Sequence, residues 1–393
     1  MLPSPRHHAR WIFGLTAVAA LVSGCTTTTA QGKVLSLIDA RVPQNCSVDV
    51  TTQIQQYLDS VPNNSTVIFQ HGACYRIDGT IHVEHRRGLV IEGNQATFKA
   101  VTSGRELGSG ARGRAQWDFE RDDSITVANM TVLGANPDVT YVAALEAQHN
   151  FNLAGVTNML IENVSGGRTY GDFVYVGPQY AGQVIGSDHV TVRNSHFDRA
   201  GRQGMSITQG TNIVFDSNSL GNTARSIFDL EPNSASGNIE HVTIENNSIG
   251  HSRLNFLANW GAASKIDDIN ILNNQLNDHV LSVDVNAPVG ARRSNYVISG
   301  NTSSGAAGNP AGAALIFRHV DNIVVSGNTT VTENYRHMGL VALRDTTNVR
   351  VTDNATLTAT RVVVDEAPDN VNVCQARNRV GNPLMAYRSD AGC

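Results

Sequence analysis

Ile213-Val-Phe-Asp-Ser-Asn218, Val242-Thr-Ile-Glu-Asn-Asn247, Ile269-Asn-Ile-Leu-Asn-Asn274, Tyr296-Val-Ile-Ser-Gly-Asn301, Ile323-Val-Val-Ser-Gly-Asn328 and Val349-Arg-Val-Thr-Asp-Asn354 repeat one frame. The asparagines are separated by 29, 27, 27, 27 and 26 residues. Within each frame apolar and polar residues alternate for four positions, the period of a β-strand with one buried face. A turn residue and the asparagine close each unit. Asparagine tolerates left-handed backbone angles and suits a tight corner. Coils stacked about 4.8 Å apart would bring successive asparagine amides into hydrogen-bonding reach, forming a ladder.

A fixed period in the twenties predicts a solenoid with one coil per repeat. A propeller needs roughly 40 residues or more per blade, and an antiparallel sandwich would not hold one frame. Earlier segments keep the frame with substitutions: Leu89–Asn94, Ile125–Met130, Met159–Val164 and Val190–Ser195. Their closing positions lie 36, 34 and 31 residues apart, so loops leave the coils there. The expectation is an all-β chain: a single right-handed parallel β-helix of about ten or more coils. An N-terminal capping helix is expected at about 49–61. Asp49 or Thr51 is placed to cap it, and Ile54, Tyr57, Leu58 and Val61 form its apolar face.

Arg6 and Arg10 precede an apolar run from Trp11 to Val22, followed by Val22-Ser-Gly-Cys25. This is the pattern of a bacterial lipoprotein signal, so 1–24 are expected to be removed and Cys25 to carry lipid. Residues 25–45 read as lipidated cysteine and tether, and 46–393 as the β-helix domain. The expected locations are the cell envelope or the extracellular space, with the membrane reached through Cys25. Export favours disulfides. The pairing that staples each end is Cys46–Cys74 and Cys374–Cys393, though four cysteines allow other connectivities.

Loss of Arg6 and Arg10 leaves 27 basic against 34 acidic residues, a net charge of −7. Only Lys33, Lys99 and Lys265 are lysines, and there is no basic tract, which argues against a nucleic-acid partner. The sequence does not specify an oligomeric state.

A β-helix interior is packed, so chemistry belongs on an outer face walled by loops. Phe173-Val-Tyr-Val176, Met205-Ser-Ile-Thr208 and Phe228-Asp-Leu-Glu231 align as one strand in successive coils. Tyr175, Ser206 and Asp229 then share one outward column, and Gly177, Thr208 and Glu231 the next. Asp172, Gln203 and Ser226 stack just before the strand, beside Gly171, Arg202 and Arg225. Arg253 continues that last column if one residue is skipped, and Asn259 and Trp260 fall near the same face.

Asp229, Glu231 and Asp172 are therefore the candidate catalytic carboxylates. Arg202, Gln203, Arg225, Tyr175, Arg253, Asn259 and Trp260 are the candidate substrate-binding residues. Asp229 and Glu231 are two apart on a strand, about 6.7 Å between Cα atoms. Paired carboxylates flanking a glycosidic bond supply an acid and a base or nucleophile, and a gap of about 6.5–9.5 Å points to inversion. Mutual repulsion would raise one carboxyl pKa. The arginines are suited to hold a carboxylated or sulfated sugar. The bland alternative is an ion-pair ladder between Asp229 and Arg202 or Arg225. His149, His196, His251 and His279 do not share one column and read as loop or corner residues. No metal site is expected.

The asparagine-cornered coils and the capping segment resemble the right-handed β-helix proteins of the pectin-lyase-like superfamily, over roughly Val48 to Val380. The resemblance implies the fold and a carbohydrate-directed role. That superfamily spans hydrolases, lyases, epimerases and adhesins. Gly201-Arg-Gln-Gly-Met-Ser-Ile207 resembles the Gly-His-Gly-x-Ser-Ile strand of polygalacturonase-type hydrolases, but Arg202-Gln203 stands where they carry histidine. Their Asn-Thr-Asp and Asp-Asp motifs are missing in the usual form, and so is the Asp-Pro-His signature of alginate epimerases. Only the site position carries over. The leading expectation is a lipid-anchored glycoside hydrolase without cofactor. The alternatives are a polysaccharide lyase or uronate epimerase, the only reading that would call for calcium, and a non-catalytic carbohydrate binder.

Overall fold

A computed structural model of the protein describes residues 34–103, 114–179, 183–305, 312–331, 337–357, 359–381 and 385–386. The expected signal, Cys25 and Cys393 lie outside the described residues. The chain from Val34 onward forms one unit. It is a parallel β-solenoid whose strands fall on three faces. Two faces merge into a 22-stranded sheet and the third is a 14-stranded sheet.

The frame residues form the strands of the first face, such as Gly210–Asp216, Ile239–Glu245 and Ile266–Leu272. Each pairs in parallel with its equivalent one coil on, as in Ile213↔Val242↔Ile269. The inward residues Ile213, Val242, Ile269, Ile323 and Val349 are at most 1% exposed. They belong to one hydrophobic core that runs the length of the solenoid.

The asparagine ladder is present. Asn247 Nδ2 donates to Asn274 Oδ1 over 2.9 Å, and the same bond recurs at Asn274–Asn301, Asn301–Asn328, Asn328–Asn354 and Asn354–Asn378. Each acceptor oxygen also takes the backbone N–H of the asparagine before it. The ladder residues themselves are not left-handed. Positive φ falls one position earlier, on Ser217, Asn246, Asn273, Gly300, Gly327, Asp353 and Arg377. The corner therefore divides the work. One residue bends the backbone, and the next turns its amide into the core, where an unmet amide would be costly.

The N-terminal helix spans Thr51–Ser60 with Ile54 and Leu58 buried. Val50 is its N-cap, and Asp49 Oδ1 accepts from the Thr51 N–H at 3.0 Å. Cys46 and Cys74 are bonded, with Cα atoms 5.1 Å apart. Cys374 is also disulfide-bonded. The solenoid begins earlier than Cys46, because Val34–Leu37 pairs in parallel with Ser65–Ile68. That strand belongs to the first coil rather than to a tether. It carries no corner asparagine to mark it.

Candidate active site

The second face carries the candidate site. Its strands Phe151–Ala154, Val174–Gly177, Met205–Ile207, Phe228–Leu230 and Leu257–Asn259 stack in parallel in chain order. The register is Asn152↔Tyr175↔Ser206↔Asp229↔Ala258, so these outward side chains form one column, as expected. Upstream the column continues through Asp118 and His82. The Glu231 N–H bonds Ile207 O at 3.0 Å, which keeps Glu231 in the neighbouring outward column.

Arg202 lies at the centre. Its Nη1 donates to Asp172 Oδ2 at 2.6 Å. Its Nη2 is 3.4 Å from Glu231 Oε2 and 3.9 Å from Asp229 Oδ2, and its Nε is 3.8 Å from Glu146 Oε2. Burial alone would lower the pKa of this guanidinium; Asp172, Asp229, Glu231 and Glu146 together hold it above its usual range. Gln203 ties the neighbouring coils together. Its backbone N–H bonds Asp172 Oδ1 at 2.8 Å, its Nε2 bonds Asp229 Oδ2 at 2.8 Å, and its Oε1 takes the Ser226 N–H at 2.7 Å.

The two carboxyls of the pair differ in setting. The Asp229 side chain is 5% exposed and that of Glu231 is 43% exposed. Burial pushes the Asp229 carboxyl up to about 8; the charge of Glu231 adds to this and Arg202 opposes it. Asp229 therefore keeps its proton at neutral pH. The ion-pair alternative is present as well: Arg202 pairs closely with Asp172 at 2.6 Å and more loosely with Asp229 at 3.9 Å.

Two neighbouring hollows, one reaching Arg202 and the other Gln203, make up the cleft. Glu146, His149, Asn152, Tyr175, Arg202 and Asn233 line one. Gln203, Arg225, Ser226, Asp229, Glu231, Leu254, Asn255, Ala258 and Trp260 line the other. Trp260 is 48% exposed and lines the second hollow. Tyr175 stacks on His149 with ring centroids 4.8 Å apart, and Asn233 Nδ2 donates to its hydroxyl at 3.3 Å. Arg225 sits over the Tyr141 ring, 5.2 Å from its centroid, and Tyr141 in turn donates to Glu146 at 2.5 Å.

Two expected binding residues are elsewhere. Asn259 pairs in register with Leu230, points into the core at 0% exposure and donates to the buried Tyr296 hydroxyl. Arg253 is exposed at the corner, with its N–H on Thr223 O at 3.1 Å, and lines neither part of the cleft. Leu254, whose N–H reaches Arg225 O at 3.4 Å, takes the column assigned to Arg253.

Glu146 and His149 escaped the sequence reading, as did Asn152 and Asn233 on the cleft wall. His149 is buried, and its Nδ1 accepts the Asp172 N–H at 2.9 Å. Burial lowers its pKa to about 4. It sits in the Asp172–Gln203–Ser226 column, one coil earlier, since Phe151 pairs with Val174. Its place two residues before Phe151, like that of Asp172 before Val174, was the available signal. Gly171 makes room for it, because a Cβ there would stand 2.7 Å from His149 Nδ1 and 2.5 Å from Glu146 O.

No protein-family model and no curated protein matches the sequence. Solved structures do match in fold. The A-module of a mannuronan C-5 epimerase from Azotobacter vinelandii superposes with a TM-score of 0.67 at 15% identity, covering 88% of this chain and 93% of that one. A surface adhesin of Streptococcus pneumoniae gives 0.63 at 13% identity, covering 88% and 90%. A family 28 exopolygalacturonase from Yersinia enterocolitica gives 0.63 at 11% identity, covering 87% and 78%. The chain therefore has the right-handed parallel β-helix fold of pectin-lyase-like proteins. At these identities the likeness is one of fold, which hosts several chemistries.

Proposed function

We propose that the protein is a glycoside hydrolase that cuts a polysaccharide lying along the second face. The observation that carries this reading is the Asp229–Glu231 pair: a buried carboxyl held by Gln203 and an exposed one two residues on, both lining the same cleft. Asp229 protonates the glycosidic oxygen as the bond breaks, and Glu231 either takes a proton from the water that attacks the anomeric carbon or attacks that carbon itself, water then releasing the sugar. Gln203 fixes the Asp229 carboxyl, and Asp172 with Arg202 fixes the surrounding charge.

Elimination or epimerisation needs a base able to take a carbon-bound proton. Arg202 is held more firmly protonated than an ordinary arginine, and burial raises the Tyr175 pKa, so neither suits that role. We place the site on a chain with residues 1–24 removed and Cys25 lipidated, exported to the cell envelope. Palmitate labelling that Cys25→Ser abolishes supports the anchor.

The activity test follows reducing ends and ultraviolet absorbance together on a polysaccharide panel. New reducing ends without absorbance are expected. Absorbance rising in step with them means a lyase. Glycan binding with neither signal means a binder. Asp229→Asn and Glu231→Gln are each expected to lower the rate at least about 100-fold.

A further inference from the structure

We propose that the cleft accepts an uncharged polysaccharide and rejects uronate and sulfated chains. This deepens the hydrolase reading and rests on it. Recognition of a polyanion requires cations that are available to it, repeated along the groove. Arg202, the central cation, already faces the carboxylates of Asp172, Glu231 and Glu146, with Asp172 at 2.6 Å, and the protonated Asp229. Arg225 is the one arginine lining the cleft that has no carboxylate partner among the described residues, and it lies over the Tyr141 ring. No lysine lines either part of the cleft.

The walls carry the opposite sign. Glu146 and Glu231 are 46% and 43% exposed, and upstream the column adds Asp118, with Glu120 beside it. A chain bearing one negative charge per sugar would pass each of these within the Debye length, about 10 Å at 0.1 M salt. The polar groups left over suit hydroxyls. Asn255 lines the cleft with an amide that both donates and accepts, and Asn152 and Asn233, whose Nδ2 groups already bond Asp118 and the Tyr175 hydroxyl, each keep a second N–H and a carbonyl oxygen; Trp260 adds apolar surface.

The test uses the full mature chain. Wild type is assayed for new reducing ends, and Glu231→Gln is examined by affinity electrophoresis. The polymers are polygalacturonate, alginate and iota-carrageenan, set against galactan, xylan and mixed-linkage glucan, plus the carboxyl-reduced form of each uronate. Runs are made at about 0.01 M and about 0.15 M salt. At least one neutral polymer is expected to be retained ten-fold more strongly than any polyanion at both salts. The double variant Asp118→Asn with Glu146→Gln is expected to gain retention of polyanions.

Stronger retention of a polyanion than of every neutral polymer by Glu231→Gln, or cleavage of a polyanion by wild type, overturns the proposal and leaves the hydrolase reading standing. Retention of no neutral polymer overturns it as well. Retention of a neutral polymer by Glu231→Gln, with no reducing ends from wild type on any polymer, removes the hydrolase reading while the choice of an uncharged chain stands.

Discussion

Arg202 Nη1 stands 2.6 Å from Asp172 Oδ2 across two coils, and the Asp172 side chain is wholly buried. Taking away one partner of such a pair strands a charge in the core, a cost of about 3–5 kcal/mol. Arg202→Met is therefore expected to lower stability by that order in urea unfolding. Arg202→Met combined with Asp172→Asn should recover most of it. Single and double variants with equal losses would mean the pair is uncoupled.

The pH dependence of stability has a window of its own. Burial raises the pKa of Asp229 to about 8 and that of Asp122 to about 7, so the folded chain holds protons there that the unfolded chain releases near 4. Folding stability from these groups falls as pH rises from about 4 to about 8. Burial lowers His149 and His279 to about 4 against an ordinary 6.5, which makes stability rise with pH between those values. The two trends oppose each other below about pH 6.5. Above it the Asp229 slope stands clear up to about pH 8. Denaturant midpoints across pH 6.5–8 should fall for wild type and fall less for Asp229→Asn. Activity should decline over the same range as the acid loses its proton.

The inner asparagines should matter more than outer ones of the same chemistry. Asn301 is 0% exposed, and its side chain bonds Asn328, the Asn274 backbone and amide, and Ile271 O. Asn322 also bridges coils, to Asn295 and Asn348, but on the exposed surface. Asn301→Ala leaves buried groups unmet and should cost at least about 2 kcal/mol, whereas Asn322→Ala should cost less than about 1 kcal/mol. Equal losses in parallel urea titrations would remove the distinction.

Arg293 is fully buried, and its guanidinium donates to the carbonyls of Ser264 and Ala262, the latter at 2.9 Å, with Trp260 O at 3.5 Å. It thereby clasps the segment that presents Trp260 to the cleft. Arg293→Met should free that segment, raising acrylamide quenching of Trp260 while the buried Trp117 stays shielded. Unchanged quenching with lowered stability would show a purely structural role.

Most of the fold was readable because one rule, alternation closed by asparagine, recurs wherever a coil is plain. The outward columns followed from the same rule, which is why Asp172, Gln203, Asp229 and Glu231 come together as expected. The rule fails where the chain leaves it. Glu146 and His149 follow a short 3-10 turn at Ala143–Leu145 that has no strand period. Asn259 occupies an inward position that periodicity gives to an apolar residue, and it is satisfied there by Tyr296, a partner 37 residues away. Arg253 misses its column because no residue is skipped in that coil: the register runs evenly from Ser219↔Ser248 through Thr223↔Ser252 to Phe228↔Leu257, which puts Leu254 beside Arg225.

The unbroken chain of amides from Asn247 to Asn378 makes the C-terminal part of the molecule adjustable in length. Each coil packs mainly on the ones above and below it, with Arg292 and Arg318 reaching one coil further to Asp345 and Glu366, so its contribution is close to self-contained. Removing a whole 26- or 27-residue turn between Asn301 and Asn354 would bring two equivalent amides face to face and reseal the stack. The cleft lies outside that stretch, so the protein can be shortened or lengthened there, as a telescoping rod, without disturbing the machinery at its middle.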